Sequence, residues 1–173
     1  LSDETVADYM QALYRLFAVY DQPAFNPNMR SSVRVGKKPK RHLADPSLAA
    51  AALGATPERL MQDLNTLGFL FESLCERDLT IYAQANGGNL YHYRDGSDRE
   101  IDAVLELPDG RWGAFEIKLG ANQIDAAAEM RSVFEEDPRA KAPSVLVVIC
   151  GLTSFAYTRP DGVMVVPITA LRE

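Results

Sequence analysis

The stretch Glu100–Leu119, EIDAVLELPDGRWGAFEIKL, constrains this chain more than any other. Its alternating apolar positions (Ile101, Ala103, Leu105, Leu107, then Phe115, Ile117, Leu119) describe two strands around a Pro108-Asp109-Gly110 turn. Pairing Leu107 with Arg111 across that turn sets Asp102 opposite Glu116. Side chains so opposed lie about 4.5–5.5 Å apart. Two carboxylates at that spacing repel unless a divalent cation or a proton lies between them. Lys118, two residues beyond Glu116, points to the same face of its strand. The expected constellation is a metal site built on Asp102 and Glu116, with the cationic Lys118 beside it.

The chain has 173 residues, 47% of them hydrophobic, enough for one domain or a domain with a small appendage. Its start on Leu, directly at a helix signal, suggests a piece of a longer protein. No apolar run approaches the roughly 18–20 residues of a membrane span, and no signal peptide is visible, so a soluble, cytoplasmic protein is expected. Cys75 and Cys150 lack CxxC or histidine spacing and read as buried thiols. His42 and His92 are lone histidines, poor candidates for metal ligands.

A net charge of −6 excludes binding nucleic acid over the whole surface. The segment from Arg30 to His42 nevertheless holds six basic residues and no acid. It reads either as a phosphate-binding strip (Arg34, Lys37, Lys38, Lys40, Arg41) or as a solvated loop.

In chain order, Ser2 caps a helix expected to reach Tyr20, with Val6, Tyr9, Leu13, Leu16, Phe17 and Tyr20 as a core-facing stripe. The basic strip follows as a loop or irregular hairpin, with Val33–Val35 a candidate strand. Asp45-Pro46 and Thr56-Pro57 open helices. Helical pattern runs on to about Ala85, with a break expected near Asn65-Thr66. Glu72 lies at the edge of its apolar stripe, where a carboxylate is costly unless paired or bound to metal. Leu90–Arg94 is a strand before the central hairpin, Ala121 opens a helix to about Glu136, and Ser144–Cys150 is a strand covered on both faces. A helical crossover makes that strand parallel to the one carrying Glu116. A last hairpin turns at Pro160-Asp161-Gly162. No Gly-rich phosphate loop or HExxH is present, so no ATP site is expected.

From Glu72 onward the expected order is helix, three strands, helix, strand, with an acid on the first helix, an acid on the second strand and acid-x-lysine on the third. That arrangement resembles the PD-(D/E)XK nuclease superfamily. The phrases Lys40–Asp45, Phe69–Ser73, Arg99–Asp102 and Phe115–Lys118 narrow the resemblance, from the first helix through Cys150, to the C-terminal domain of prokaryotic AAA-type ATPases, domain of unknown function 4143. It implies an α/β, restriction-endonuclease-like αβββαβ core with a mixed sheet over residues 57–173, preceded by a helical extension and basic loop over 1–56. It also implies Mg²⁺ or Mn²⁺ held by Asp102 and Glu116 with the Ile117 carbonyl, Glu72 on a metal-bound water or second ion, and Lys118 on the nucleophile or transition state. Glu100, placed opposite Lys118 by the same pairing, is a further ligand or a salt-bridge partner of that lysine. The implied partners are DNA and an AAA-type ATPase module in the same protein; the implied activity is phosphodiester hydrolysis. The alternative is a silent nuclease fold kept as a binding or regulatory module.

Overall fold

The computed structural model describes residues 2–25, 38–94, 99–125, 130–135 and 142–172. Ser2 caps α1 (Asp3–Arg15), its hydroxyl accepting from the Thr5 N–H. The helix stops short of Tyr20 because Phe17 turns left-handed, at φ 55°. Phe17 N–H then donates to Tyr14 C=O and Ala18 N–H to Leu13 C=O, which satisfies the terminal carbonyls. The expected core-facing stripe is not one: α1 buries no residue, and Leu16 and Phe17 are exposed.

The chain reverses into β1 (Val19–Gln22), which pairs antiparallel with β2 (Lys40–Leu43), Gln22 opposite Lys40. The end of the basic strip is therefore strand. Arg34, Lys37 and the candidate strand Val33–Val35 lie outside the described residues. Asp45 caps α2 (Pro46–Ala52) and Thr56 caps α3 (Pro57–Gln62). The break before α4 (Leu64–Ala85) falls at Asp63, slightly earlier than expected, because its carboxylate accepts the Thr66 N–H and draws Asn65-Thr66 into the first turn.

The remaining elements are β3 (Asn89–Arg94), β4 (Glu100–Glu106), β5 (Trp112–Lys118), a 3₁₀ turn (Ala121–Gln123), α5 (Met130–Glu135), β6 (Val145–Cys150), β7 (Tyr157–Thr158) and β8 (Met164–Pro167). They form a mixed α/β structure around a six-stranded mixed sheet of order β3-β4-β5-β6-β8-β7. β6 lies parallel to β5, as the crossover argument predicts, and also to β8. The central hairpin takes the predicted register: Glu106 faces Trp112 and Ala103 faces Phe115. Its turn closes through Leu107 N–H to Arg111 C=O at 2.8 Å, with Gly110 supplying the positive φ of 77° that a side chain would resist.

Helix α4 covers one face of the sheet, packing Cys75 and Leu79 on Ala103, Ile117, Val147 and Ile149. Ile101, Val104, Trp112, Ala114 and Val148 belong to the core on the other face. Both cysteines are buried and free. Among the described residues, no helix is long and apolar enough to cross a membrane.

Candidate metal and phosphodiester site

A register shift shapes the site. Tyr91 faces Val104 but Tyr93 faces Ile101, so β4 spends one extra residue around Asp102. Ile101 and Ala103, which strict alternation would put on one face, consequently fall in opposite halves of the core. On its other side the β4–β5 ladder ends at Ala103–Phe115. The Asp102 carboxylate supplies the next rung: Ile117 N–H donates to its Oδ2 at 2.8 Å.

Lys118 Nζ lies 3.2 Å from the same Asp102 oxygen and 2.7 Å from Glu116 Oε2. Asp102 and Glu116 therefore meet around one ammonium group. Glu100 does not join them. It pairs with Arg94, its neighbour across β3, at 2.8 Å, because the ladder to β5 has already ended.

Helix α4 brings further acids at helical spacing. Lys40 Nζ reaches from β2 to Glu72 Oε1 at 2.5 Å and to Glu76 Oε1 at 3.0 Å. His42 Nδ1 lies 2.9 Å from Glu76 Oε2, and its Nε2 lies 2.9 Å from Gln22 Oε1. Glu76 is 1% exposed and was not singled out from the sequence. The signal for it was present: it sits one turn after Glu72, between Cys75 and Leu79, in the phase of α4 that the sheet buries.

The basic strip is thus partly committed. Lys40 faces inward to the two helix acids, and Arg41 Nε pairs with Asp21 at 3.2 Å and with the Tyr14 hydroxyl at 2.8 Å. Lys38 has no ion pair among the described residues.

Electrostatics follow from this crowding. Burial, then the charge of Asp102, pushes the Glu116 carboxyl up to about 8, against the pull of Lys118. Burial and Asp102 also raise Glu72. Burial opposes the charge on Lys118 and Lys40, but the neighbouring carboxylates outweigh it and hold both ammonium groups protonated.

Among the described residues, no three acid, histidine or cysteine side chains converge as they stand to hold a metal ion. Lys118 and Lys40 sit between the acids instead. Glu72 and Glu76 share the Lys40 ammonium, with His42 Nδ1 also against Glu76, and Asp102 and Glu116 share that of Lys118. Each acid pair offers oxygen donors, the chemistry a hard divalent cation requires. The Asp102 and Glu116 oxygens suit such an ion in kind, with Lys118 now lying between them, and the charge of Asp102 reaches Glu72.

A cleft of about 450 Å³ opens beside them, lined by Phe69, Glu72, Lys118, Asn122, Gln123 and Leu152. A larger cleft of about 530 Å³ under β1, lined by Tyr20, Arg77, Thr80 and Tyr91, contains none of the four acids.

A family model described as a domain of unknown function (DUF4143) matches residues 67–171, and a second (DUF8612) matches residues 1–59. The Lys40–Asp45 phrase thus lies in a stretch matched by a different family model from the one that spans the site acids. No curated protein and no solved structure matches the chain. With more than half of its length matched, including α4 from Leu67 and every strand of the main sheet, this chain belongs to the DUF4143 family.

Proposed function

We propose that this chain is a metal-dependent nuclease module of PD-(D/E)XK type, with a restriction-endonuclease-like core. It would hydrolyse phosphodiester bonds of DNA in the cytoplasm as the C-terminal part of an AAA-type ATPase. The observation that carries the reading is Lys118 bridging Asp102 and Glu116 while lining, with Glu72, one wall of a cleft. Such costly acids in contact are hard to explain as scaffolding, because apolar residues would fill the same space without the charge penalty.

Asp102 and Glu116 would hold Mg²⁺ or Mn²⁺, with the Ile117 carbonyl and Glu72 as further oxygens. When bound, that ion would lower the pKa of a coordinated water and neutralise charge on the attacked phosphate. Lys118 is held protonated by its neighbours. It therefore serves as an electrostatic stabiliser of the pentacovalent transition state or as an orienter of the nucleophile, and not as the general base. Glu72, whose carboxyl is raised by burial and Asp102, would accept a hydrogen bond from the attacking water. Arg34, Lys37 and Lys38 remain candidates for the DNA backbone, with affinity falling steeply as salt rises.

The test is incubation of the chain with end-labelled DNA in Mn²⁺ or Mg²⁺. Wild type cleaves, Asp102→Asn does not, and chelation by EDTA stops the reaction. Asparagine is the appropriate replacement because its side-chain oxygen still accepts the Ile117 N–H. Cleavage that survives Asp102→Asn sinks the reading.

One observation favours a second reading, a silent nuclease fold that binds or regulates the attached ATPase. Both lysines already pair with the acids, and no three ligands converge among the described residues. In that case Mn²⁺ neither binds nor supports cleavage.

A further inference from the structure

Phe69 stands on α4 three residues before Glu72, hence on the same helix face. It is 71% exposed and forms part of the wall of the cleft that holds Glu72 and Lys118. An aromatic ring in that setting leaves most of its surface to solvent. Its neighbour is equally unexplained by packing: a Cβ at Gly68 would meet no atom within 4 Å. Glycine inside a helix costs stability relative to alanine, and the folded chain gains no contact in return. Gly68 also lines the cleft, so its bare backbone leaves room for something flat to lie against the helix. The facing 3₁₀ turn contributes the amides of Asn122 and Gln123, each able to donate and to accept.

Charge in the cleft favours one occupant. The basic residue of its lining is Lys118, which already pairs with Asp102 and Glu116, and the chain carries −6 overall. Holding a duplex through its phosphates requires many uncommitted cations. Stacking of an unpaired base does not, because every base presents a π-face.

We propose that this cleft takes a base of single-stranded nucleic acid, stacked on Phe69 over the bare backbone of Gly68, with Asn122 and Gln123 at the base edge. The proposal deepens the nuclease reading, on which it rests, by assigning its substrate class as single strands or frayed ends.

The test is fluorescence anisotropy in EDTA at low salt, where cleavage plays no part. The probes are a labelled oligothymidine, the same-length strand with abasic sites throughout, and the corresponding duplex. The base-bearing strand binds wild type tightest. Phe69→Ala and Gly68→Leu each weaken it about tenfold, to the level of the abasic strand, and Phe69→Trp restores it. Gly68→Leu meanwhile melts no lower than wild type, because leucine favours the helix, so a folding defect is distinguished from a blocked cleft. Equal binding of the abasic strand or the duplex, or no effect of Phe69→Ala, overturns the proposal and leaves the face to a protein partner. Metal binding by Asp102 and Glu116 is measured separately and stands or falls on its own.

Discussion

Lys40→Met lowers the unfolding free energy by about 3 kcal/mol, near the low end for breaking a buried ion pair. For a chain of this size that is a fall in Tm of roughly 6–12 °C. The cause is Glu76, whose carboxylate is 1% exposed and takes the Lys40 ammonium at 3.0 Å. Methionine keeps the length of the side chain and removes the charge, leaving Glu76 with the His42 imidazole as its remaining side-chain contact. The effect stays at the low end because Lys40 itself is 38% exposed, so water can enter the space it leaves. Adding Glu76→Gln to Lys40→Met recovers most of the loss, since the buried charge disappears. Thermal melting of the single and double variants checks both statements; an unchanged Tm in Lys40→Met would mean that water already screens the pair.

Glu116→Gln has the opposite sign without metal. Burial and Asp102 hold the folded-state carboxyl near 8, above its ordinary value of 4.5. The folded protein therefore keeps a proton there that the unfolded chain releases between those values. The contribution of Glu116 to stability is fully present below pH 4.5 and is lost as pH rises through about 8. Glutamine cannot titrate, so the variant's advantage over wild type grows across that window, to on the order of 1–3 kcal/mol at its upper end. Denaturant unfolding at pH 5 and pH 8.5 measures the difference. Mn²⁺ reverses the order: ion at 100 times its dissociation constant adds about 2.7 kcal/mol to wild type and little to Glu116→Gln. A variant that is less stable than wild type at pH 8.5 without metal would contradict the account.

Local chemistry carried much of the fold. The Pro108-Asp109-Gly110 turn permits one tight closure, and that closure sets the register from Glu106–Trp112 to Ala103–Phe115. The apolar run Val145–Cys150 had to be a covered strand, and it lies between β5 and β8. What escaped sequence reading depends on tertiary context. The extra residue at Asp102 is a property of pairing with β3, and no alternation pattern announces it. Strict period-two counting put Asp102 beside Glu116 by parity; in the structure the meeting is made by a bulge, a side-chain rung to Ile117 and a shared lysine. Glu76 and His42 were passed over because a helical glutamate and a lone histidine are ordinary in isolation. Their burial arises only when β2 lies against α4 and brings Lys40 with it. The stripe of α1 misled for the converse reason: its periodicity is real, but no element of the described chain covers it.

If Asp102 and Glu116 form the proposed divalent-cation site, Lys118 occupies it until metal arrives. Calorimetric titration of Mn²⁺ into wild type, Asp102→Asn and Lys118→Ala at pH 6 and pH 8 tests it most directly, because it needs no substrate. Binding to wild type is expected to be tighter at pH 8 and to release protons at pH 6, as Glu116 is deprotonated. Binding is expected to be lost in Asp102→Asn and to be equal or tighter in Lys118→Ala, where the competing ammonium is gone. Wild type that takes up no Mn²⁺ at millimolar concentration, or Asp102→Asn that binds it as well as wild type, would contradict the claim.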